Sequence, residues 1–273
     1  MKAKHLILFL SMVILNFNLI AQGDLLITPK RVVFEGNKQK EEISLVNIGK
    51  DSATYSVSFI QKDMREDGSF VTVVNPAEAQ MVADPYLRIF PRKVTLAPGE
   101  AQVIMLQCRR KPDMKAGEYR SHLYFRAEKN NTPLGMTNTK DDTTQVSVKL
   151  IPVFGVSIPV IIRSGDVKVI SAISNVKLES GDNQAKINLT LNRTGNISTY
   201  GDIKVEFVPE KGKSVVVGSL KGIGVYTSIA RRNISFELSN NQGVSLKNGK
   251  LRVLYTSQDG SKYEVFAESQ ILL

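Results

Sequence analysis

From Val146 to Ile162 every second residue is apolar: Val146, Val148, Leu150, Pro152, Phe154, Val156, Ile158, Val160 and Ile162. A strand sends alternate side chains to opposite faces, so this row occupies one side of an extended segment, Gln145–Arg163. The intervening positions are mixed, with Ser147, Lys149, Gly155 and Ser157 beside Ile151, Val153, Pro159 and Ile161. At about 3.3 Å per residue an unbroken strand would run roughly 60 Å, about three times an ordinary one. A strand of that length either crosses two domains or offers part of its apolar row to something else. Pro152 and Pro159 lack a ladder donor and suit an edge strand. An edge with a long apolar row normally invites aggregation.

The rest of the chain reads as short strands separated by turns. Leu25-Leu26-Ile27 and Val32-Val33-Phe34 form an edge strand interrupted at Pro29, followed by a turn at Glu35-Gly36-Asn37. Ile43, Leu45 and Val46 predict the next strand, and Tyr55, Val57 and Phe59 alternate with Ser56 and Ser58. A turn at Glu66-Asp67-Gly68-Ser69 leads to Phe70–Val74. The stretch Pro85–Pro91 leads into Val94-Thr95-Leu96, and Ala97-Pro98-Gly99-Glu100 is a strong turn before Val103–Leu106. Glu118–Arg126 alternates around Tyr119, Leu123 and Phe125, and the polar segment Glu128–Thr144 reads as a mobile loop. Ser164-Gly165-Asp166 marks a domain boundary. Beyond it strands are expected at Val167–Ile170, Ile173–Leu178, Ile187–Leu191, Ile203–Phe207, Val215–Val217, Ile223–Tyr226, Ile234–Leu238, Leu251–Tyr255 and from Tyr263 to the end. Short strands, regular turns and no convincing helix predict an all-β chain of two sandwiches, residues 22–163 and 164–273.

Residues 1–21 read as a secretory signal: Lys2 and Lys4, an apolar run from Leu6 to Leu15, and a small residue at Ala21. The run is too short and too interrupted, by Asn16 and Asn18, for a good membrane span. Cys108 is the only cysteine, so no intramolecular disulfide forms and an exported fold must rest on its core. Its setting, Val-Ile-Met-Leu-Gln-Cys, reads as a buried small hydrophobe. The formal charge is +10, of which Lys2 and Lys4 contribute two. The positives are scattered, without a basic helix or an aromatic-and-basic platform, so the balance reads as a solvated surface and not a nucleic-acid interface. Only His5 and His122 are present, and His5 leaves with the signal. That excludes zinc sites built from several His or Cys ligands and leaves a nucleophilic triad without a base other than His122, so an enzyme is not expected. Gly222-Ile223-Gly224 is too short for a nucleotide loop, and no cofactor is implied. Four Asn-x-Ser/Thr triplets, at Asn188, Asn192, Asn196 and Asn233, are common by chance in such a sequence.

The ordered set Arg31–Phe34 with Glu35-Gly36, Ser44–Asn47, Val94–Glu100, Tyr119–Phe125 and Gly155–Val160 resembles the periplasmic chaperones of chaperone–usher pili, the PapD-like family. The resemblance covers nearly the whole chain after the signal and is strongest in the first half. It implies two immunoglobulin-like β-sandwiches in an L-shaped arrangement, located in the periplasm. It also implies a chaperone that lends its strand 145–163 to an incomplete pilus or fimbrial subunit by donor-strand complementation. On this resemblance the lent row is Val148, Leu150, Pro152 and Phe154, and Val156–Ile162 belongs to the chaperone's own sheet. Arg31 matches the family's anchor for the subunit's C-terminal carboxylate. The partner lysine of that anchor falls at Pro159, a departure for which Arg120, Arg126 and Lys149 are the substitutes considered. The bland reading of Arg31 is an edge-strand charge that discourages aggregation. Arg163 and Asp259 match positions of an interdomain salt bridge. The implied partners are subunits and an outer-membrane usher, with self-association capping the free edge. The rival reading is a secreted two-domain immunoglobulin-like structural or adhesive protein, which would use the same strand within its own sheet.

Overall fold

The computed structural model describes residues 24–77, 80–128, 154–179, 184–239, 246–257 and 264–273. The expected signal, most of the polar loop, Val148, Leu150, Pro152 and Asp259 lie outside the described residues.

The chain is all-β, with two sandwiches. In the first, β1 (Leu25–Thr28), β3 (Lys40–Asn47), β8 (Ala101–Cys108) and β6 (Leu87–Phe90) make one sheet in the order β1-β3-β8-β6. The facing sheet runs β2 (Val32–Phe34), β10 (Gly155–Ser164), β9 (Gly117–Ala127), β4 (Ala53–Met64), β5 (Phe70–Val73), with β7 (Lys93–Leu96) also paired to β4. Period-2 alternation places Ile43, Leu45, Ile104 and Leu106 from one sheet against Val57, Leu123, Phe125, Ile158, Val160 and Ile162 from the other in one core.

The second sandwich packs β11 (Val169–Glu179), β12 (Lys186–Gly195) and β15 (Arg231–Glu237) against a sheet ordered β14-β13-β16-β17. The strands of that sheet are β13 (Thr199–Pro209), β14 (Val215–Val225), β16 (Gly249–Ser257) and β17 (Val265–Leu272). Its core joins Ile187, Leu189, Leu191 and Ile234 to Ile203, Val205, Phe207, Leu251, Val253 and Tyr255.

Four local readings differ from the sequence pattern. Asp84–Leu96 contains a 3-10 turn at Asp84–Tyr86 and a separate strand, β6, which pairs with β8. The two pieces expected at Val215–Val217 and Ile223–Tyr226 fall on one strand, β14, which ends at Val225 and whose register against β13 shifts at two places. The pieces expected at Val167–Ile170 and Ile173–Leu178 likewise fall on one strand, β11, which begins at Val169 and is bulged near Asn175, which has φ 54°. The interruption at Pro29 is a change of sheet: β1 pairs antiparallel with β3, while β2 pairs parallel with β10.

The two sandwiches meet through a polar junction. Glu118 on β9 accepts from the Ser198 backbone N–H (3.0 Å) and hydroxyl (2.7 Å), and its own N–H donates to the Asn196 carbonyl (3.0 Å). The Asn196 side chain donates to the Asp166 carbonyl and accepts from the Lys168 N–H, both at 2.8 Å, fixing the connecting segment. Gly165 in that segment has φ +65°, and a Cβ there would lie 2.8 Å from the Ala116 Cβ. A second contact comes from the β4–β5 hairpin tip. The Glu66 carbonyl accepts from the Asn233 N–H, and the Glu66 carboxylate pairs with Arg231, both at 2.7 Å.

Candidate functional site: an open strand edge and the interdomain cleft

Strand β10 is covered unevenly. On one side it pairs with β9 along its whole length, from Gly155↔Arg126 to Ser164↔Gly117. On the other side β2 reaches only Val160, Ile161 and Ile162. Among the described residues, Gly155–Pro159 therefore has a strand neighbour on one side alone. The Ala127 N–H donates to the Phe154 carbonyl at 3.1 Å. Such bonds recur at every second residue of an antiparallel pair, so even positions of β10 turn their backbone groups to β9. Gly155, Ser157 and Pro159 turn theirs to the open side. Pro159, with no N–H to leave unpaired, sits on the half-covered stretch, where a proline is tolerated.

The apolar row changes character along the same strand. Ile162 and Val160 are fully buried and Ile158 is 4% exposed, whereas Val156 is 38% and Phe154 59% exposed. The three buried residues belong to the sandwich core. The two exposed ones extend the same row past it, towards the segment that holds Val148, Leu150 and Pro152.

The open edge runs into a cleft between the domains. This cavity of about 350 Å³ is lined on the first domain by Arg31, Lys62, Phe70, Arg120, His122 and Pro159, among others, and on the second by Ser198, Tyr200, Gly224, Tyr226 and Arg232. Arg31 directly precedes β2, and the register Val160↔Val32 sets it level with Pro159, where the covering strand ends. Its guanidinium carbon lies 4.8 Å from the centre of the Tyr200 ring. Lys30 and Lys62 line the same cavity, and neither makes an ion pair among the described residues. A cleft with several cations and one fully buried carboxylate, Glu118, nearby is suited to an anion.

Arg120 is also there, but it is committed to the junction. Its guanidinium donates to Glu118 (2.5 Å) and the Ser198 hydroxyl (2.7 Å) and lies 3.6 Å from the centre of the Tyr226 ring. Burial alone would raise the Glu118 carboxyl; the Arg120 charge and the Ser198 hydrogen bonds outweigh it and hold the group below its ordinary range. His122 is buried beside Tyr226, with Nε2 3.2 Å from the phenol oxygen. Desolvation, with the charges of Arg120 and Lys62, pushes its pKa down to about 3, so the ring is neutral at ordinary pH.

Of the residues named from the sequence, Arg31 and Phe154 are placed at the two ends of the open edge. Arg126 is exposed and pairs with Gly155, at the end of β10 away from the cleft, and Lys149 lies outside the described residues. Arg163 pairs with Glu35, lies 3.6 Å from Glu118, and donates to the Ser198 carbonyl of the second domain at 3.4 Å. Lys62, Phe70, Tyr226 and Arg232 were not singled out. They come from β4, β5, β15 and the turn after β14, in two domains, and no local pattern brings them together. Among the described residues no group of three or more His, Cys, Asp or Glu could hold a metal ion, and no helix is long and apolar enough to cross a membrane.

No family model and no curated protein matches the chain. Similar solved structures do exist. One is the CsuC–CsuE chaperone–tip adhesion subunit pre-assembly complex from the archaic chaperone-usher Csu pili of Acinetobacter baumannii, with 15% identity, TM-score 0.47, and coverage of 90% of this chain and 98% of that one. Others are the YadV chaperone, with 12% identity, TM-score 0.45 and coverage of 92% and 100%, and the Pseudomonas aeruginosa CupB2 chaperone, with 12% identity, TM-score 0.42 and coverage of 91% and 100%. With TM-scores below 0.5, these likenesses leave the functional reading to rest on the edge and the cleft themselves.

Proposed function

We propose that the protein is a periplasmic chaperone that binds, stabilises and delivers pilus or fimbrial subunits by donor-strand complementation. The observation that carries this reading is the graded exposure of one apolar row on a half-covered strand: Ile158, Val160 and Ile162 complete the protein's own core, while Val156 and Phe154 continue the row into the open. A partner whose sandwich lacks a strand gains two things from such an edge. Its backbone pairs with the free N–H and C=O groups, and alternate apolar side chains enter its core. In this reading Val148, Leu150, Pro152 and Phe154 are the inserted row. Burying four such side chains at about 1.5–3 kcal/mol each contributes roughly 6–12 kcal/mol before association costs.

Arg31 stands where the open edge meets the cleft, so the end of a paired strand would bring its C-terminal carboxylate to Arg31. Lys62 and Lys30 supply the additional charge that Pro159 cannot. Arg163, through Ser198 and together with Asp259, fixes the angle between the domains and does not touch the ligand. The loaded protein passes its subunit to an outer-membrane usher, and the free protein covers its apolar edge by self-association.

Co-expression with a candidate subunit from a neighbouring secreted reading frame tests this. The unmodified chain should yield a soluble one-to-one complex from the periplasm. Leu150→Glu and Phe154→Glu should lose the complex while the isolated proteins keep their far-UV circular dichroism and melting temperature. Co-purification of the subunit with both variants would rule out donor-strand complementation.

A further inference from the structure

Gly222 and Gly224 form part of the second-domain wall of the cleft, while Ile223 between them belongs to the core. Gly222 has φ +71°, a conformation that side chains avoid, and the β14 bulge explains it. Gly224 is different. Its φ lies outside the left-handed region, and a Cβ there would meet nothing closer than 3.5 Å. A Cβ alone would make only ordinary contacts, with the Thr199 carbonyl, Tyr200 and Tyr226, so a side chain longer than a methyl is what glycine keeps out of this cleft wall.

Beside that wall lies an aromatic group drawn from both domains, and the Gly224 Cβ position is 3.6 Å from the Tyr200 and Tyr226 rings. The Phe70 ring centre is 5.3 Å from that of Tyr226 and 6.1 Å from that of His122. His122 and Tyr226 are buried, whereas Phe70 lines the cleft with 47% of its surface exposed. Tyr200 closes another side, and Lys30 and Lys62 line the same cavity. A carboxylate alone would occupy the cations and leave the aromatic walls and the space beside Gly224 uncovered.

Resting on the reading of the cleft as the seat of a C-terminal carboxylate, we propose that it is also a side-chain pocket selecting an aromatic C-terminal residue in the bound polypeptide. An aromatic ring can meet Phe70 and the tyrosines in tilted or edge-to-face contact, which an aliphatic side chain cannot. It can also receive a lysine over its face while its own carboxylate pairs with the remaining cations. An acidic terminal side chain would satisfy the cations but not the apolar walls.

The chain has no tryptophan, so a peptide ending in Trp supplies the only indole emission in the mixture. Synthetic peptides of one alternating apolar body are titrated into the full chain, ending in Trp acid, Trp amide, Ala acid or Asp acid, with an amino-terminal dye on those that lack Trp. The Trp acid should bind about 10- to 100-fold more tightly than the Ala or Asp acid, with a blue shift of the indole, as expected for burial of one aromatic side chain. Gly224→Leu should remove that preference, so that the Trp acid binds no more tightly than the Ala acid. Should Gly224→Leu melt early, Phe70→Ala provides the same comparison. Equal binding of the Trp, Ala and Asp acids overturns the side-chain pocket and leaves the carboxylate seat standing. Equal binding of Trp acid and Trp amide overturns the seat and the pocket together, as does the absence of binding by every peptide up to millimolar concentration.

Discussion

Glu118→Ala should be among the most destabilising single changes in the chain, because one carboxylate holds both domains. Its side chain is 0% exposed, and its ion-pair partners Arg120 and Arg163 are 9% and 15% exposed. The carboxylate accepts three hydrogen bonds at 2.5–3.0 Å, from the Arg120 guanidinium and from the Ser198 N–H and hydroxyl. Truncation leaves two arginines facing each other and strands the Ser198 N–H. Removing one partner of a buried pair costs about 3–5 kcal/mol, mainly from the uncompensated charge left behind. With a urea m-value of about 2 kcal/mol/M, that moves the midpoint down by roughly 1.5–2.5 M. Glu118→Gln, which keeps an acceptor for Ser198 but not the charge, should fall between the two. A double-mutant cycle with Ser198→Ala isolates the interdomain part, expected at about 1.5–3 kcal/mol for a hydrogen bond to a charged group. A total loss below about 1 kcal/mol for Glu118→Ala would mean that the cluster is solvated and holds nothing.

The remaining predictions concern the strand row, pH and a turn. Val160→Asp places a charge in the core and should abolish folding, whereas Phe154→Asp, on the same row, should change stability by no more than about 0.5 kcal/mol; paired melts decide it. Between about pH 6.5 and 3 the unfolded chain binds a proton at His122 that the folded chain refuses, so stability should fall as pH drops through that window. The slope should approach about 1.4 kcal/mol per pH unit and flatten in His122→Phe, read from urea titrations at several pH values. Asn47 is fully buried, donates to the Leu96 (3.0 Å) and Asp51 (2.8 Å) carbonyls and accepts from the Gly49 N–H (2.9 Å). Asn47→Ala should cost about 1–3 kcal/mol through the stranded backbone groups, and a cost near zero would show that water replaces the side chain.

The class of the fold was legible because alternation survives wherever a strand has one wet and one dry face, as in Tyr55–Phe59 and Ile203–Phe207. It failed where the chain breaks the rule locally. Strand β6 was missed because Pro85 and Pro91 flank only a few residues, which read as a connection. Strand β14 was split because Gly218 and Gly222 interrupt its apolar run, although a bulged strand tolerates both. The site divided in the same way. Arg31 was named through the family resemblance of the residues around it. The rest of the cleft is built by the docking of two domains, through Glu118, Ser198 and the Glu66 hairpin, and no window of a single sequence contains that event.

The length of the open edge follows from the change of sheet between β1 and β2. Leu25 and Ile27 on β1 are committed to the core side of the sheet that holds β3. The next strand joins the opposite sheet only at Val32, so it can cover β10 no earlier than Val160. Had the chain entered that sheet five residues sooner, Gly155–Pro159 would have gained a parallel neighbour. The split of one apolar segment between two sheets thus sets where the protein's own core ends, and it places Arg31 at that boundary. A strand pairing with the bare stretch would find the cation at the point where it can go no further.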